Sequence, residues 1–159
     1  CIELDSEIKL PKLYPDAKER LLDLVNQGFT RRKLKGKTNA LTYAARRDHE
    51  YEVICKLGWA DYFLVMEKIV TDAKAKFGEW AVGYGRGSAA GSLVSYCLGL
   101  TDIDPIEHGL LFERFLDEGR PDPPDIDTDF DPRIRDAVKR DIVKVFGEKK
   151  VCSIGDQED

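Results

Sequence analysis

Pro123-Pro124-Asp125-Ile126-Asp127-Thr128-Asp129-Phe130 places three aspartates on alternate positions of one short extended stretch. Side chains in a strand alternate faces, so Asp125, Asp127 and Asp129 share one side while Ile126, Thr128 and Phe130 share the other. The first side is a row of like charges and the second is apolar enough to join a core. Neighbouring carboxylates raise one another's pKa unless a cation sits between them. A divalent ion satisfies such a row, and hard oxygen donors without a nearby His or Cys cluster favour magnesium or manganese over zinc. The competing reading of any Asp-x-Asp is an acidic, solvated edge strand or turn.

Upstream of this stretch lies a second piece of chemistry. Trp80-Ala81-Val82 reads as a short strand running into Gly83-Tyr84-Gly85-Arg86-Gly87-Ser88, after which Ala89 to Leu98 has helical composition. A glycine-rich turn opening a helix is a recipe for holding phosphate, because the backbone can approach closely, its amides point outward and the helix dipole favours an anion. Arg86 would add charge and Ser88 a hydroxyl donor. The loop is not a Walker A, since it lacks the closing Gly-Lys-Ser/Thr. A dinucleotide fingerprint fits Gly85, Gly87 and Ala90 only by making Asp104 its acidic residue, and Thr101-Asp102-Ile103-Asp104-Pro105 is turn chemistry rather than a strand end. A tight strand-to-helix turn with no ligand is the alternative.

The composition sets the frame for these motifs. With 159 residues, 42% hydrophobic and 35% charged, the chain is long enough for a substantial core and reads as a soluble globular domain, or one domain with an appendage. No apolar run approaches the roughly 18 residues of a membrane span and there is no secretory pattern, so the expected location is cytoplasmic. Cys1, Cys55, Cys97 and Cys152 have no CxxC spacing and read as free thiols. The chain begins with Cys rather than Met, as a piece of something longer or a processed product would, an intein junction being one such origin.

The net charge of −5 argues against non-specific nucleic-acid binding, but its distribution is uneven. Eight acids stand against two arginines between Glu113 and Asp131, whereas Arg31 to Arg47 holds seven bases and no acid. Thr30 to Ala40 reads as an exposed loop, and its charges are either solvated or a contact to a phosphate backbone.

Apolar spacing predicts helices from Pro15 to Gln27 with Gly28 as the stop, from Leu41 to Leu57, and from Trp59 to Phe77. A short apolar helix is predicted over Gly109 to Leu116. Another is predicted from Arg133 to Phe146, capped near Asp131, with one more strand over Lys150 to Ile154. His49, inside a charged run, reads as a surface residue. The elements alternate, so the expected class is mixed α and β, an α+β fold with a small sheet.

Several ordered blocks carry a resemblance. Gly85-Arg86-Gly87-Ser88-Ala89-Ala90-Gly91-Ser92-Leu93-Val94, Thr101-Asp102-Ile103-Asp104-Pro105, Leu110-Leu111-Phe112-Glu113-Arg114-Phe115-Leu116 and Pro124-Asp125-Ile126-Asp127-Thr128-Asp129-Phe130 resemble the palm of bacterial replicative DNA polymerase III alpha subunits, the C family. Glu52-Val53-Ile54 and Gly58-Trp59-Ala60-Asp61-Tyr62-Phe63-Leu64 are similar to the same palm. The match runs from about Asp48 to Ile154 and is loose before it. It implies three regions: residues 1–47 as a helical and basic lead-in, 48–155 as an incomplete palm core, and 156–159 as a polar tail.

The resemblance implies a polymerase-beta-like nucleotidyltransferase palm, a small sheet with flanking helices, in a DNA-directed DNA polymerase. It assigns Asp127 and Asp129 as catalytic metal ligands, with Asp125 a neighbour. Gly87, Ser88 and Arg114, and less directly Arg86, are assigned to the phosphates of the incoming dNTP. The implied cofactor is magnesium, with manganese as a substitute, and the implied partners are primer-template DNA, dNTP and the remaining parts of the polymerase. The family's third catalytic carboxylate, fingers, clamp-binding region and N-terminal phosphoesterase-type domain have no counterpart in these blocks. The isolated chain is therefore expected to be inactive or nearly so, and a non-catalytic metal- or phosphate-binding module is the alternative.

Overall fold

Leu21, Val25 and Phe29 recur every four residues, and this stripe makes α1 (Ala17–Arg31) one wall of the core. The computed structural model describes residues 14–146 except 80–81, 85–87, 121–123, 125 and 127. Within them α2 spans Ala40–Lys56, α3 Ala60–Phe77, α4 Leu93–Leu98 and α5 Arg135–Phe146. Two three-residue strands, β1 (Val82–Tyr84) and β2 (Thr128–Phe130), complete the elements, joined by short 3-10 turns.

Packing is helix on helix. In α3, Tyr62 to Met66 are buried in succession, followed by Ile69, Val70 and Ala73, so this helix is covered on most of its circumference. Short α4 lies in the interior, with Leu93, Val94, Ser95, Cys97 and Leu98 buried against α1 and α2. Phe63, Phe115 and Phe112 continue the core as edge-to-face rings at 5.9 and 6.1 Å.

The expected α+β class with a small sheet and flanking helices is overturned. Helices build the described fold, and extended pairing is confined to one antiparallel ladder, Val82↔Phe130, Gly83↔Asp129 and Tyr84↔Thr128. Alternation did identify extended backbone near the aspartates. It did not report how many strands pair, and here the helices bury the core while the ladder is a ribbon beside α3. The strand expected over 150–154 lies outside the described residues.

Three element boundaries also differ. Helix α1 runs through Gly28 to Arg31. A Cβ at Gly28 would sit 1.9 Å from the Cys97 carbonyl oxygen, so this glycine is a crossing point with α4 and not a stop. The helix expected over Ala89 to Leu98 is divided into a 3-10 turn, Ser88–Gly91, and α4, with Ser92 as the cap. The helix expected over Gly109 to Leu116 is reduced to the 3-10 turn Phe112–Arg114.

Extended backbone at Ser92 and Leu111 bounds both shortened elements, and Arg46 engages a carbonyl beside each. Its guanidinium donates to the carbonyls of Gly91 (2.6 Å) and Leu110 (3.0 Å), which continuous helices would offer to the amides of Ser95 and Arg114. The Ser95 amide donates instead to Ser92 Oγ (3.1 Å), and that of Arg114 to the Leu111 carbonyl (3.3 Å).

Candidate functional site

The β1/β2 ladder brings together the two stretches that the sequence singled out. Tyr84, the residue before the Gly85–Ser88 turn, is paired with Thr128, the residue after Asp127, and Gly83 is paired with Asp129. Gly85, Arg86, Gly87, Asp125 and Asp127 lie outside the described residues, and for Ser88 and Asp129 the backbone alone is described. Ile126, on the apolar side of the alternation, is buried, and its amide donates to the Tyr62 hydroxyl at 3.2 Å. The aspartate stretch is thereby fastened to the first turns of α3.

Arg114 closes the 3-10 turn Phe112–Arg114 and is exposed, while Phe112, Phe115 and Leu116 around it are buried. No ion pair to its guanidinium is found among the described residues. Its neighbour Glu113 faces His49, whose Nε2 lies 3.2 Å from the carboxylate, and the His49 ring meets Phe112 edge-on. His49 is half exposed, as a surface residue should be.

Residues Ser88–Gly91 pack directly on the Arg114 segment. A Cβ at Gly91 would come within 2.7 Å of the Leu111 carbonyl oxygen, so the close approach of the two backbones requires glycine there. Val82–Tyr84 thus pairs with Thr128–Phe130, and Ser88–Gly91 packs on the Arg114 segment.

An anion does sit at the N-terminus of α4, and it belongs to the protein. Glu50 of α2 is fully buried, and its Oε2 accepts from the Leu93 amide (2.9 Å) while its Oε1 accepts from the Val94 amide (2.9 Å) and Ser92 Oγ (3.0 Å). Arg46 Nε donates to the same carboxylate at 2.6 Å. Burial pushes the Glu50 carboxyl upward from its ordinary range, opposed by those amides and by Arg46. The first amides of α4 are therefore taken by Glu50 and Ser92 within the protein.

The opposite end of α4 receives cations. Arg31 donates to the Cys97 carbonyl (2.7 Å), and Arg32 donates to the carbonyls of Tyr96 and Thr101 (both 3.2 Å) and to Asp102 (2.8 Å). The Arg32 guanidinium also stacks 4.0 Å above the Tyr96 ring. These two arginines complement the negative end of the helix dipole. Arg31 and Arg32, at the start of the basic stretch, thus make contacts within the fold.

Sequence reasoning missed Glu50 and Arg46. Their signal was present: Tyr43, Arg46, Glu50, Val53 and Ile54 follow a three-to-four-residue spacing, so two charged residues fall on the buried stripe of α2. It also missed the role of Asp104, buried in the 101–105 turn. Its Oδ1 accepts from the amides of Ile106 and Glu107, and its Oδ2 accepts from the Tyr43 hydroxyl at 2.6 Å. That geometry is turn capping, in agreement with the turn reading against a dinucleotide fold.

Cys97 is buried and free, with its thiol pushed up to about 12 by burial, and Cys55 is half-buried and free. No helix among the described residues is long and apolar enough to cross a membrane.

The chain belongs to the family described as the bacterial DNA polymerase III alpha NTPase domain, whose profile matches residues 19–158. Among individual relatives it is similar to the DNA polymerase III subunit alpha of Mycobacterium leprae, 46% identical over 130 residues, covering 82% of this chain and 11% of that protein. It is also similar to the subunits of Staphylococcus epidermidis, 47% identical over 116 residues (73% of this chain, 11% of the relative), and Aquifex aeolicus, 41% over 155 residues (94% and 13%). The chain spans little more than a tenth of the length of these relatives.

Proposed function

We propose that this segment supplies part of the nucleotidyl-transfer centre of a DNA-directed DNA polymerase that works on primer-template DNA together with the remaining parts of that polymerase. The observation that carries the reading is the ladder register: Tyr84, which leads into the glycine-rich sequence, lies opposite Thr128, and Gly83 lies opposite Asp129. Asp127 and Asp129 would hold two magnesium ions, manganese being a substitute. The donor set fits, since both are hard oxygen ligands from one short stretch and its apolar neighbour Ile126 is buried. Bound there, the ions would supply Lewis-acid activation of the primer 3′-hydroxyl and charge stabilisation for an in-line displacement at the α-phosphorus that releases pyrophosphate.

The chain's own residues orient the triphosphate. Gly87 lets the backbone approach, Ser88 donates a hydroxyl, and Arg86 and Arg114 bring charge to the β- and γ-phosphates. Arg114 is suited to this by being exposed at the edge of a turn whose other side chains are buried. The test is primer extension by a full-length alpha subunit bearing this segment. Asp127→Asn and Asp129→Asn are each expected to lower kcat by about 10³-fold or more, as loss of a metal ligand removes several kcal/mol of transition-state stabilisation. Extension at the unsubstituted rate by either variant would overturn the assignment.

A further inference from the structure

Arg46 and Glu50 stand four residues apart on α2, yet every polar contact they make beyond each other leads to the two segments on either side of the proposed triphosphate site. Arg46 Nη2 donates to the Gly91 carbonyl at 2.6 Å, at the end of the 3-10 turn that starts at Ser88. The same nitrogen donates to the Leu110 carbonyl at 3.0 Å, two residues before the turn that ends in Arg114. Glu50 takes Ser92 Oγ and the amides of Leu93 and Val94, which fixes the chain leaving the Ser88–Gly91 turn.

One guanidinium nitrogen thus bridges two backbone segments, and Glu50 Oε2 orients that guanidinium through Nε at 2.6 Å. The contact is short enough that Gly91 tolerates no side chain toward Leu111. A generic stabilising ion pair would not need to reach two carbonyls 19 residues apart in sequence. These carbonyls lie beside the extended residues Ser92 and Leu111, where the two segments depart from helical backbone.

We infer that the Arg46–Glu50 pair is a positioning device for nucleotide binding, holding the Ser88–Gly91 turn and the Arg114 segment against each other so that both can face a dNTP triphosphate. This deepens the proposed function and rests on its assignment of Ser88 and Arg114 to the phosphates. Arg46 and Glu50 are not catalytic residues in this reading, because they act through the backbone of the segments they hold. Lysine at position 46 keeps the charge but lacks the planar fork that engages Glu50 and both carbonyls together.

The test uses a full-length alpha subunit bearing this segment, with Arg46→Lys, Glu50→Gln, Arg114→Ala and Asp129→Asn made separately and Arg46→Lys/Arg114→Ala together. Steady-state primer extension, primer-template affinity and thermal unfolding are measured for each. For Arg46→Lys the expected result is a KM for dNTP raised about tenfold, with kcat within about threefold and primer-template affinity unchanged. The double variant should be much less impaired than the product of the single effects, because the two residues serve one function.

A Glu50→Gln subunit that folds should show the same KM effect, and if it does not fold Arg46→Lys decides. An unchanged KM in folded Arg46→Lys overturns the positioning role, as does a loss of kcat, KM and DNA affinity together in step with lowered thermal stability. Multiplicative effects of Arg46→Lys and Arg114→Ala overturn it too. Asp129→Asn separates this from the larger reading: an inactive Asp129→Asn with an unaltered Arg46→Lys sinks the positioning role alone, whereas an active Asp129→Asn sinks the nucleotidyl-transfer assignment.

Discussion

Tyr43 and Asp104 meet in the interior, where the hydroxyl donates to the carboxylate at 2.6 Å and the other carboxylate oxygen caps the 105–109 turn. Removing the hydroxyl leaves Asp104 Oδ2 short of a donor in a buried site, a loss of about 1–3 kcal/mol. Tyr43→Phe is therefore expected to lower the urea midpoint at neutral pH. Burial, then the Asp104 hydrogen bond and charge, raises the Tyr43 pKa above its ordinary 10.0. The folded state keeps this proton where the unfolded chain loses it, so the contribution is complete below pH 10 and is lost as pH rises beyond it. The stability difference between parent and Tyr43→Phe should accordingly shrink above pH 10; a difference that grows there would show that the pair is not what holds the proton.

At the scale of elements, α4 is a six-residue helix too short to stand alone, held by Glu50 at its N-terminus and Arg31 and Arg32 at its C-terminus. Its crossing with α1 is set by Gly28. Alanine there would gain about 1 kcal/mol of helix propensity, but its Cβ would overlap the Cys97 carbonyl, and overpacking of this kind costs about 1–3 kcal/mol or more. Gly28→Ala is expected to be net destabilising in thermal unfolding; a raised Tm would mean that Gly28 is a helix weakness and not a packing contact. Periodicity read this glycine as a stop because glycine after an amphipathic run usually marks one. A helix in contact with another backbone needs the same residue for a reason that lies 69 positions further along.

For the molecule as a whole, a three-pair ladder joins Val82–Tyr84 to Thr128–Phe130 beside a helical core. The segment covers 11 to 13% of the length of its relatives, and a two-metal centre ordinarily needs further ligands and a surface for the template. We therefore expect no primer extension from the isolated chain, measured with a labelled primer, magnesium and all four dNTPs. Measurable extension would show that Asp127, Asp129 and the Ser88 turn form a sufficient centre.

Much of this was legible along the chain. The periods of α1, α2, α3 and α5, the extended aspartate stretch, the turn chemistry around Asp104 and the ordered blocks that carry the family are local or linear properties, and composition and spacing report such properties directly. Glu50 at the head of α4, Arg46 between two turns, Arg32 at the tail of α4 and Gly28 in the helix crossing were decided by the tertiary structure alone. Their partners lie 42 to 70 residues away. A buried charge is stable only when distant groups arrive to satisfy it, and no local pattern specifies that arrival. The same reason explains the fold class: alternation identifies an extended segment, but the number of strands that pair depends on the rest of the chain, and here the helices took the core.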